Sequence, residues 1–434
     1  MNTNKINEKK DLVKGKLIVG VDLAQGKNFA TFYHDRFLGK PFSFENNQQA
    51  YIQFWETIER KRQQLGLSEI VVAMEPTAQY WVSLCRFLGE RGVATVLVQG
   101  SVVSKSRSLL DLNVSKNDSR DAYVIAELAS RGCFCFSRDI DSIFVDLRQL
   151  SRLRDDLVFK RSRIKNQIAA LLEANWPERK SLFVDKFLMT SLSLLRFAPF
   201  PDDILTKSPE ELSQMEILGS KKKMGPKKAQ AVLESAKTSI GTSLSSRADK
   251  IILRQRLEEY DFNEKAREEI EKEILRLATG TQYFASLTSI QGLSPLGASL
   301  LLAEMGDLRS FDRRRELTKF AGLNLIDDQS GSIELRGIRI SKAGSRALRH
   351  QLFGCCMNLI HHNPDFRLRY LEKRLKGKPH LSVMVSLMDK LLRVAFAVCS
   401  KSEPYLSPID SVTRLVEREA DWARHKSRNV KTAA

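Results

Sequence analysis

Leu17-Ile18-Val19-Gly20-Val21-Asp22-Leu23 decides the fold of the N-terminal part of this 434-residue chain. A short, unbroken apolar run reads as a buried strand, and a carboxylate inside it demands a counter-charge. A second run, Ile70-Val71-Val72-Ala73-Met74, closes on Glu75 in the same way. Neither run contains a Lys or Arg to neutralise its acid. Working outward, the pattern from Lys16 to about Cys135 alternates strand and helix. The first strand is expected over Lys16–Ala24, with hairpin partners at Asn28–His34 and Pro41–Phe44. Helices follow at Asn47–Leu65 and Tyr80–Arg91, with a further strand at Val93–Val98. Three strands in succession and then strand–helix repeats fit a mixed α/β sheet flanked by helices.

Asp118 and Asp121 stand three apart at the start of an amphipathic helix, so they share one face. Taken alone, this pair reads as an N-cap and a first-turn acid that complements the helix dipole. Joined with Asp22 and Glu75, it reads as a metal site. Adjacent strands can bring Asp22 and Glu75 to one sheet edge, and the helix need only pack across it. Clustered carboxylates raise one another's pKa unless a cation intervenes. Two Mg²⁺ ions offer hard-oxygen ligands their preferred partner, and two metals about 4 Å apart clamp both oxygens of an in-line phosphoryl transfer.

The chain is strongly basic, with 70 Lys+Arg against 52 Asp+Glu and a net charge of +18. Residues 331–434 hold 20 of those basic residues and 9 acidic ones, so most of the excess lies in the last quarter. The expected partner is nucleic acid rather than membrane, because no strongly apolar basic helix accompanies the charge. Met1 to Lys16 lacks the apolar core of a signal peptide, and no apolar run reaches the length of a membrane span. The six cysteines form no CxxC; they are expected to be reduced core residues of a cytoplasmic protein.

From Ile140 the signal changes to long helix. Ile143, Leu147, Leu150, Leu157, Ile164, Ile168 and Leu171 follow a 4-3 spacing, with Arg154 and Arg161 in two of its slots. A second long helix, about Ser246 to Leu277, completes an expected antiparallel coiled-coil stalk over 138–283. Small helices are expected in an insert at 178–245, which carries Lys221, Lys222, Lys223, Lys227 and Lys228. The stalk arginines read either as nucleic-acid contacts or as solvated charges. A compact helical domain is expected over 284–400. Its opening, Leu287 to Ala298, reads as helix, glycine turn, helix, a hairpin whose Gly292 and Gly297 can offer backbone N–H groups to phosphate or can simply turn a corner. A basic tail, 401–434, follows with a mixed-charge helix.

Ser330-Gly331 lies in a polar loop before Arg336, Arg339, Lys342, Arg346 and Arg349. Glycine after a serine lets a phosphate backbone approach, and the basic residues can hold its oxygens. Ser-Gly is also a common turn dipeptide. A serine hydroxyl needs a base or metal to become a nucleophile, and no histidine is close in sequence.

These motifs together resemble the DEDD insertion-sequence transposases, the bridge-RNA-guided serine recombinases of bacterial mobile elements. The matching pieces are Val19-Gly20-Val21-Asp22, Glu75-Pro76-Thr77-Ala78-Gln79-Tyr80-Trp81 and Lys116-Asn117-Asp118-Ser119-Arg120-Asp121-Ala122. Further on they are Ile290-Gln291-Gly292-Leu293-Ser294-Pro295, Phe320-Ala321-Gly322-Leu323, Gln329-Ser330-Gly331 and Ile340-Ser341-Lys342-Ala343-Gly344 with Leu348-Arg349. The resemblance implies a RuvC/RNase H-like domain over 14–137, with Asp22, Glu75, Asp118 and Asp121 as Mg²⁺ ligands. It implies a C-terminal domain with a helix-hairpin-helix-like element, in which Ser330 forms a 5′-phosphoserine link to DNA. It also implies a noncoding bridge RNA that pairs with donor and target DNA, and a dimer of dimers in which Ser330 of one subunit meets the acids of another. Ala78, Asn117 and Ser294 depart from the usual residues, and the last bears on the hairpin's geometry. Two other readings stand beside this one: a metal-dependent nuclease or Holliday-junction resolvase that uses water, and a non-catalytic nucleic-acid scaffold.

Overall fold

The computed structural model describes residues 3–76, 80–110, 118–136, 142–241, 247–311, 313–326, 329–330, 333–334, 339–407 and 411–432. Two compact units divide the chain, Met1–Asp141 and Ser142–Ala434.

In the first unit, helix α1 (Thr3–Val13) precedes a seven-stranded sheet. Strands β1 (Leu17–Asp22), β2 (Lys27–His34), β3 (Arg36–Phe37) and β4 (Phe42–Glu45) make an antiparallel set in which β2 pairs with the other three. Helix α2 (Gln48–Gln64) leads to β5 (Ile70–Met74), which lies parallel to β1. Helix α3 (Tyr80–Gly89) leads to β6 (Ala94–Leu97), parallel to β5. Helices α4 (Gly100–Leu110) and α5 (Asp118–Ser130) precede the short edge strand β7 (Cys135–Phe136).

The alternation of strand side chains gives the sheet two cores. Leu17, Val19, Val21, Val72 and Met74 pack with Tyr51, Phe54 and Ile58 of α2 and Leu84 and Leu88 of α3. Ile18, Val71 and Ala73 face the other way, against Val103 of α4 and Ile125, Ala126 and Ala129 of α5. Each fully buried large apolar side chain contributes roughly 1.5–3 kcal/mol. A one-residue slip of β1 would exchange its faces, so the register is strongly set. Helix α4 had no counterpart in the sequence reading. Cys133 and Cys135 also depart from expectation, since they are exposed, whereas Cys85, Cys355, Cys356 and Cys399 are buried; all six are free thiols.

In the second unit, α6 (Ser142–Asn175) and α12 (Arg247–Thr279) run antiparallel along each other. Arg154 pairs with Glu271 at 2.9 Å and Arg161 with Glu264 at 3.1 Å, a seven-residue step forward on one helix matching the same step back on the other. The two arginines in the apolar repeat are therefore interhelical ion pairs. The insert at the far end contains α7 (Arg179–Leu182), α8 (Met189–Phe197), α9 (Pro201–Leu205), α10 (Pro209–Gln214) and α11 (Pro226–Lys237) around Trp176, Ile204, Leu212 and Val232.

The near end of the stalk is part of the C-terminal core. Phe144, Leu147, Ile274 and Ala278 share one apolar cluster with α13 (Phe284–Thr288) and α14 (Pro295–Met305). Helix α14 is buried all round from Ala298 to Met305, as the central helix of a bundle must be. After α15 (Arg314–Phe320), four two-residue strands, β8 (Leu325–Ile326), β9 (Gln329–Ser330), β10 (Ile333–Glu334) and β11 (Arg339–Ile340), lead to α16 (Arg346–His362). Then come α17 (Pro364–Leu375), α18 (His380–Lys401) and α19 (Ser411–Thr432). Helix α19 lies against α17 through Arg367–Glu419 (3.2 Å) and Arg414–Glu372 (2.6 Å). Among the described residues, no helix is long and apolar enough to cross a membrane.

Candidate functional site

Pairing of β1 with β5 runs Leu17 to Ile70 through Val21 to Met74. One step further, the same register sets Asp22 beside Glu75 at the C-terminal ends of adjacent parallel strands. Both fall on the face that carries Ile18, Val71 and Ala73, the face covered by α4 and α5. Both are half-buried.

Gly20 brings the third acid to them. A Cβ on Gly20 would lie 2.3 Å from the Ala122 carbonyl oxygen and 2.7 Å from the Ala126 Cβ. Helix α5 thus presses backbone-close onto β1 two residues before Asp22, with small residues on both sides of the contact. Asp121, next to Ala122, is buried as a result, at 3 % exposure. Asp118 is the first residue of the same helix; its side chain lies outside the described residues.

The sequence reading missed Arg107 of α4. Its Nε donates to Asp121 Oδ1 at 2.6 Å and its Nη2 to Oδ2 at 2.5 Å, a bidentate fork. Hydrogen bonding to Asp121, reinforced by the fields of Asp121, Glu75 and Asp22, pushes the Arg107 pKa above its ordinary value. The same guanidinium lies within the electrostatic reach of Glu75 and Asp22 as well as Asp121. The expectation that cations alone would neutralise the cluster is corrected here: Asp121 has an arginine. The Glu75 carboxylate lies over the first turn of α4, where a Cβ on Gly100 would come 2.3 Å from Oε1. Carboxylates are favoured beside a helix N-terminus. Among the described residues, no three His, Cys, Asp or Glu side chains are arranged as a ready metal cage.

Ser330 belongs to the second unit. Its strand β9 pairs antiparallel with β10, Ser330 opposite Ile333, while β8 pairs antiparallel with β11, Ile326 opposite Arg339. Both ladders belong to the segment between α15 and α16, the serine arm, with β9 and β10 falling between β8 and β11 in sequence. The Ser330 side chain, Gly331 and Arg336 lie outside the described residues.

The base of the arm is tightly made. Ser341 N–H donates to Asn324 O (2.9 Å), Lys342 N–H to Gly322 O (3.1 Å) and Ser345 N–H to Phe320 O (2.8 Å). Two chain segments cross so closely that a Cβ on Gly344 would lie 2.4 Å from Phe320 O. Lys342 takes a left-handed φ of 54° at this crossing. Arg349 donates from Nη1 to Ala321 O at 2.9 Å and Gly344 O at 3.3 Å, and burial lowers its pKa. Arg349 therefore ties the base together, whereas Arg339, Lys342 and Arg346 are exposed. In the helical hairpin, Ser294 caps α14 by accepting the Gly297 N–H at 3.0 Å, which occupies that donor. Gly292 makes the turn with φ +87° and packs against His362.

Two family models match these same two regions. A DEDD-type transposase model of the IS110 group matches residues 19–177, and the IS116/IS110/IS902 transposase family model matches residues 285–371. The chain belongs to this transposase family. A probable family 20 transposase of Pseudomonas aeruginosa is 24 % identical over 350 residues, covering 78 % of this chain and 86 % of that protein. The transposase for insertion sequence element IS1111A of Coxiella burnetii is 25 % identical over 294 residues, covering 67 % of this chain and 68 % of its own length. A pilin gene-inverting protein of Moraxella bovis is 28 % identical over 120 residues, 27 % of this chain and 37 % of that protein. Family membership thus spans both the acidic face and the serine arm.

Proposed function

We propose that this transposase-family chain is a DNA recombinase that cuts and rejoins strands through a 5′-phosphoserine at Ser330, with Mg²⁺ held by Asp22, Glu75, Asp118 and Asp121. The observation that carries the reading is the register that sets Asp22 beside Glu75, on the face where α5 delivers Asp121. The antiparallel strands β1–β4 followed by parallel β5 and β6, with acids at strand ends, support a RuvC-like domain. The donor set is of the kind a hard divalent cation prefers: carboxylate oxygens from Asp22, Glu75, Asp118 and Asp121. When bound, Mg²⁺ would supply charge neutralisation and Lewis acidity to a phosphodiester.

In the proposed step the Ser330 Oγ attacks phosphorus, the P–O3′ bond breaks, and the serine proton is balanced by the one the 3′-oxygen takes up. The phosphoester bond is exchanged rather than hydrolysed, so a 3′-hydroxyl can reverse the step without ATP. Exposed Arg339, Lys342 and Arg346 would hold backbone oxygens beside the arm. We propose further that Ser330 works with acids of another subunit in a dimer of dimers, and that a noncoding bridge RNA pairs with donor and target DNA.

One observation favours a second reading. The acids and the serine lie in different compact units, and a water-using metal nuclease or junction resolvase would need only the first. The test is trapping on nicked DNA. Wild type should leave a protein–DNA adduct at the 5′ side, and Ser330→Ala should abolish it. Free 5′-phosphate ends without an adduct in wild type would support the nuclease instead.

A further inference from the structure

The insert between α6 and α12 lies outside both family-matched regions. Ser220-Lys221-Lys222-Lys223-Met224-Gly225-Pro226-Lys227-Lys228 places five lysines in eight positions with no carboxylate among them. We propose that this segment is a DNA-backbone-binding surface, separate from the acidic face and the serine arm.

The lysines sit on a built support. Glu216 and Lys223 form a β-bridge, flanked by Ile217 N–H to Lys222 O at 2.9 Å and Met224 N–H to Met215 O at 3.0 Å. Met215 and Met224 are buried in the insert's core with Trp176 and Leu212, so the hairpin is anchored at its root. Its turn is fixed at 2.8 Å by Leu218 N–H donating to the Ser193 hydroxyl of α8. Lys222 N–H is held by the Ser220 hydroxyl at 3.0 Å.

Most of the charge is not spent internally, although Lys228 lies 4.4 Å from the Phe183 ring centroid. Among the described residues none of the five lysines forms an ion pair, although the same part of the molecule pairs Lys237 with Glu234 and Lys250 with Asp203. Lys223 reaches Gln214 and Lys228 reaches the Leu182 carbonyl, both uncharged acceptors. Lys221, Lys222 and Lys227 are exposed. Glu216, the hairpin's own acid, makes no ion pair among the described residues.

The chemistry of the patch selects its partner. Lysine ammoniums are compact point charges that bind phosphate oxygens from many directions, without the fixed bidentate geometry of arginine. Duplex DNA presents one charge per roughly 1.7 Å of axis, which lets neighbouring lysines each find a phosphate. The choice of DNA rests on the reading that the chain rearranges DNA; the presence of a polyanion surface does not. Contacts of this kind position the duplex and carry no sequence information.

Full-length wild type and a K221Q/K222Q/K227Q variant are compared by fluorescence anisotropy on a random-sequence DNA duplex and a structured hairpin RNA across a salt series. A control variant, K160Q/K265Q/K272Q, removes equal charge from exposed positions on the stalk. The hairpin variant should bind DNA at least about tenfold more weakly, with a salt slope smaller by about 3, at roughly 0.9 per phosphate contact. The control should stay within about twofold of wild type. Unchanged DNA binding, an equal loss in the control, or a loss confined to RNA would overturn the inference while leaving the recombinase reading intact. Wild type that binds no DNA would defeat both.

Discussion

The acidic face and the serine arm are built by different means. On the acidic face, strand register, a helix packed at backbone contact and the half-buried Arg107–Asp121 ion pair position Asp22, Glu75 and Asp121. The serine arm has two two-residue ladders and a well-bonded base, and Ser330 lies on one of the ladders. Ligands for a cation gain from rigid elements that hold several charges against repulsion. On the proposed reading, the nucleophile instead sits on short ladders whose root is fixed by backbone hydrogen bonds.

The largest expected effect separates the two regions by chemistry. Glu75→Gln should reduce DNA cleavage by at least about a thousandfold while DNA affinity stays within about twofold, measured by gel assay and anisotropy. Comparable cleavage by the amide variant would break the assigned roles.

Glycine-to-alanine substitutions then sharpen the comparison of supports. Gly20→Ala places a Cβ 2.3 Å from a backbone oxygen of α5, and Gly344→Ala places one 2.4 Å from the backbone oxygen of Phe320 at the end of α15. Each should cost about 1–3 kcal/mol by urea unfolding, as overpacked sites do. The Gly20 variant should lose divalent-cation binding as well, and the Gly344 variant should keep it.

Arg107→Gln is expected to be milder. It strands the buried Asp121 carboxylate, but the arginine side chain is 31 % exposed, so a loss of about 1–2 kcal/mol is expected, below that for a fully buried pair. Because removing the guanidinium leaves more negative charge, added Mg²⁺ should raise the variant's Tm more than that of wild type. An equal response in both proteins would argue that Arg107 is unrelated to the cluster.

The smallest effect concerns pH in the helical unit. Burial would raise the Asp307 carboxyl, but hydrogen bonds from Arg309 and Tyr283 outweigh it and hold its pKa below the ordinary value. Its stabilising contribution is present above the unfolded carboxylate pKa, near 4, and is lost as pH falls through the folded value. Asp307→Asn should flatten that acid limb, measured as a smaller fall in Tm as pH is lowered below about 4.

Asp22 and Glu75 were legible because a charge inside or at the end of an apolar strand is costly and therefore conspicuous. The stalk was legible from its heptads, but the roles of Arg154 and Arg161 were not, since Glu264 and Glu271 lie more than 100 residues away. Helix α4 escaped because four serines and two valines among its eleven residues give little helical signal. Arg107 escaped with it, along with the reason Gly100 is glycine. Gly20 was visible as a motif letter, yet its purpose depends on Ala122 and Ala126, which only packing reveals. The arm's base was illegible for the same reason: it is a crossing of Phe320–Gly322 with Ser341–Gly344, set by backbone contacts.

Divalent-cation binding, measured by calorimetry with Mg²⁺ and by Mn²⁺ electron paramagnetic resonance, tests the central claim most directly. Wild type should take up the ion saturably, and Asp22→Asn should weaken that uptake by at least about tenfold without unfolding the first unit. Identical uptake in both proteins, or none in wild type, would contradict the proposal that these acids act as one cation-holding cluster.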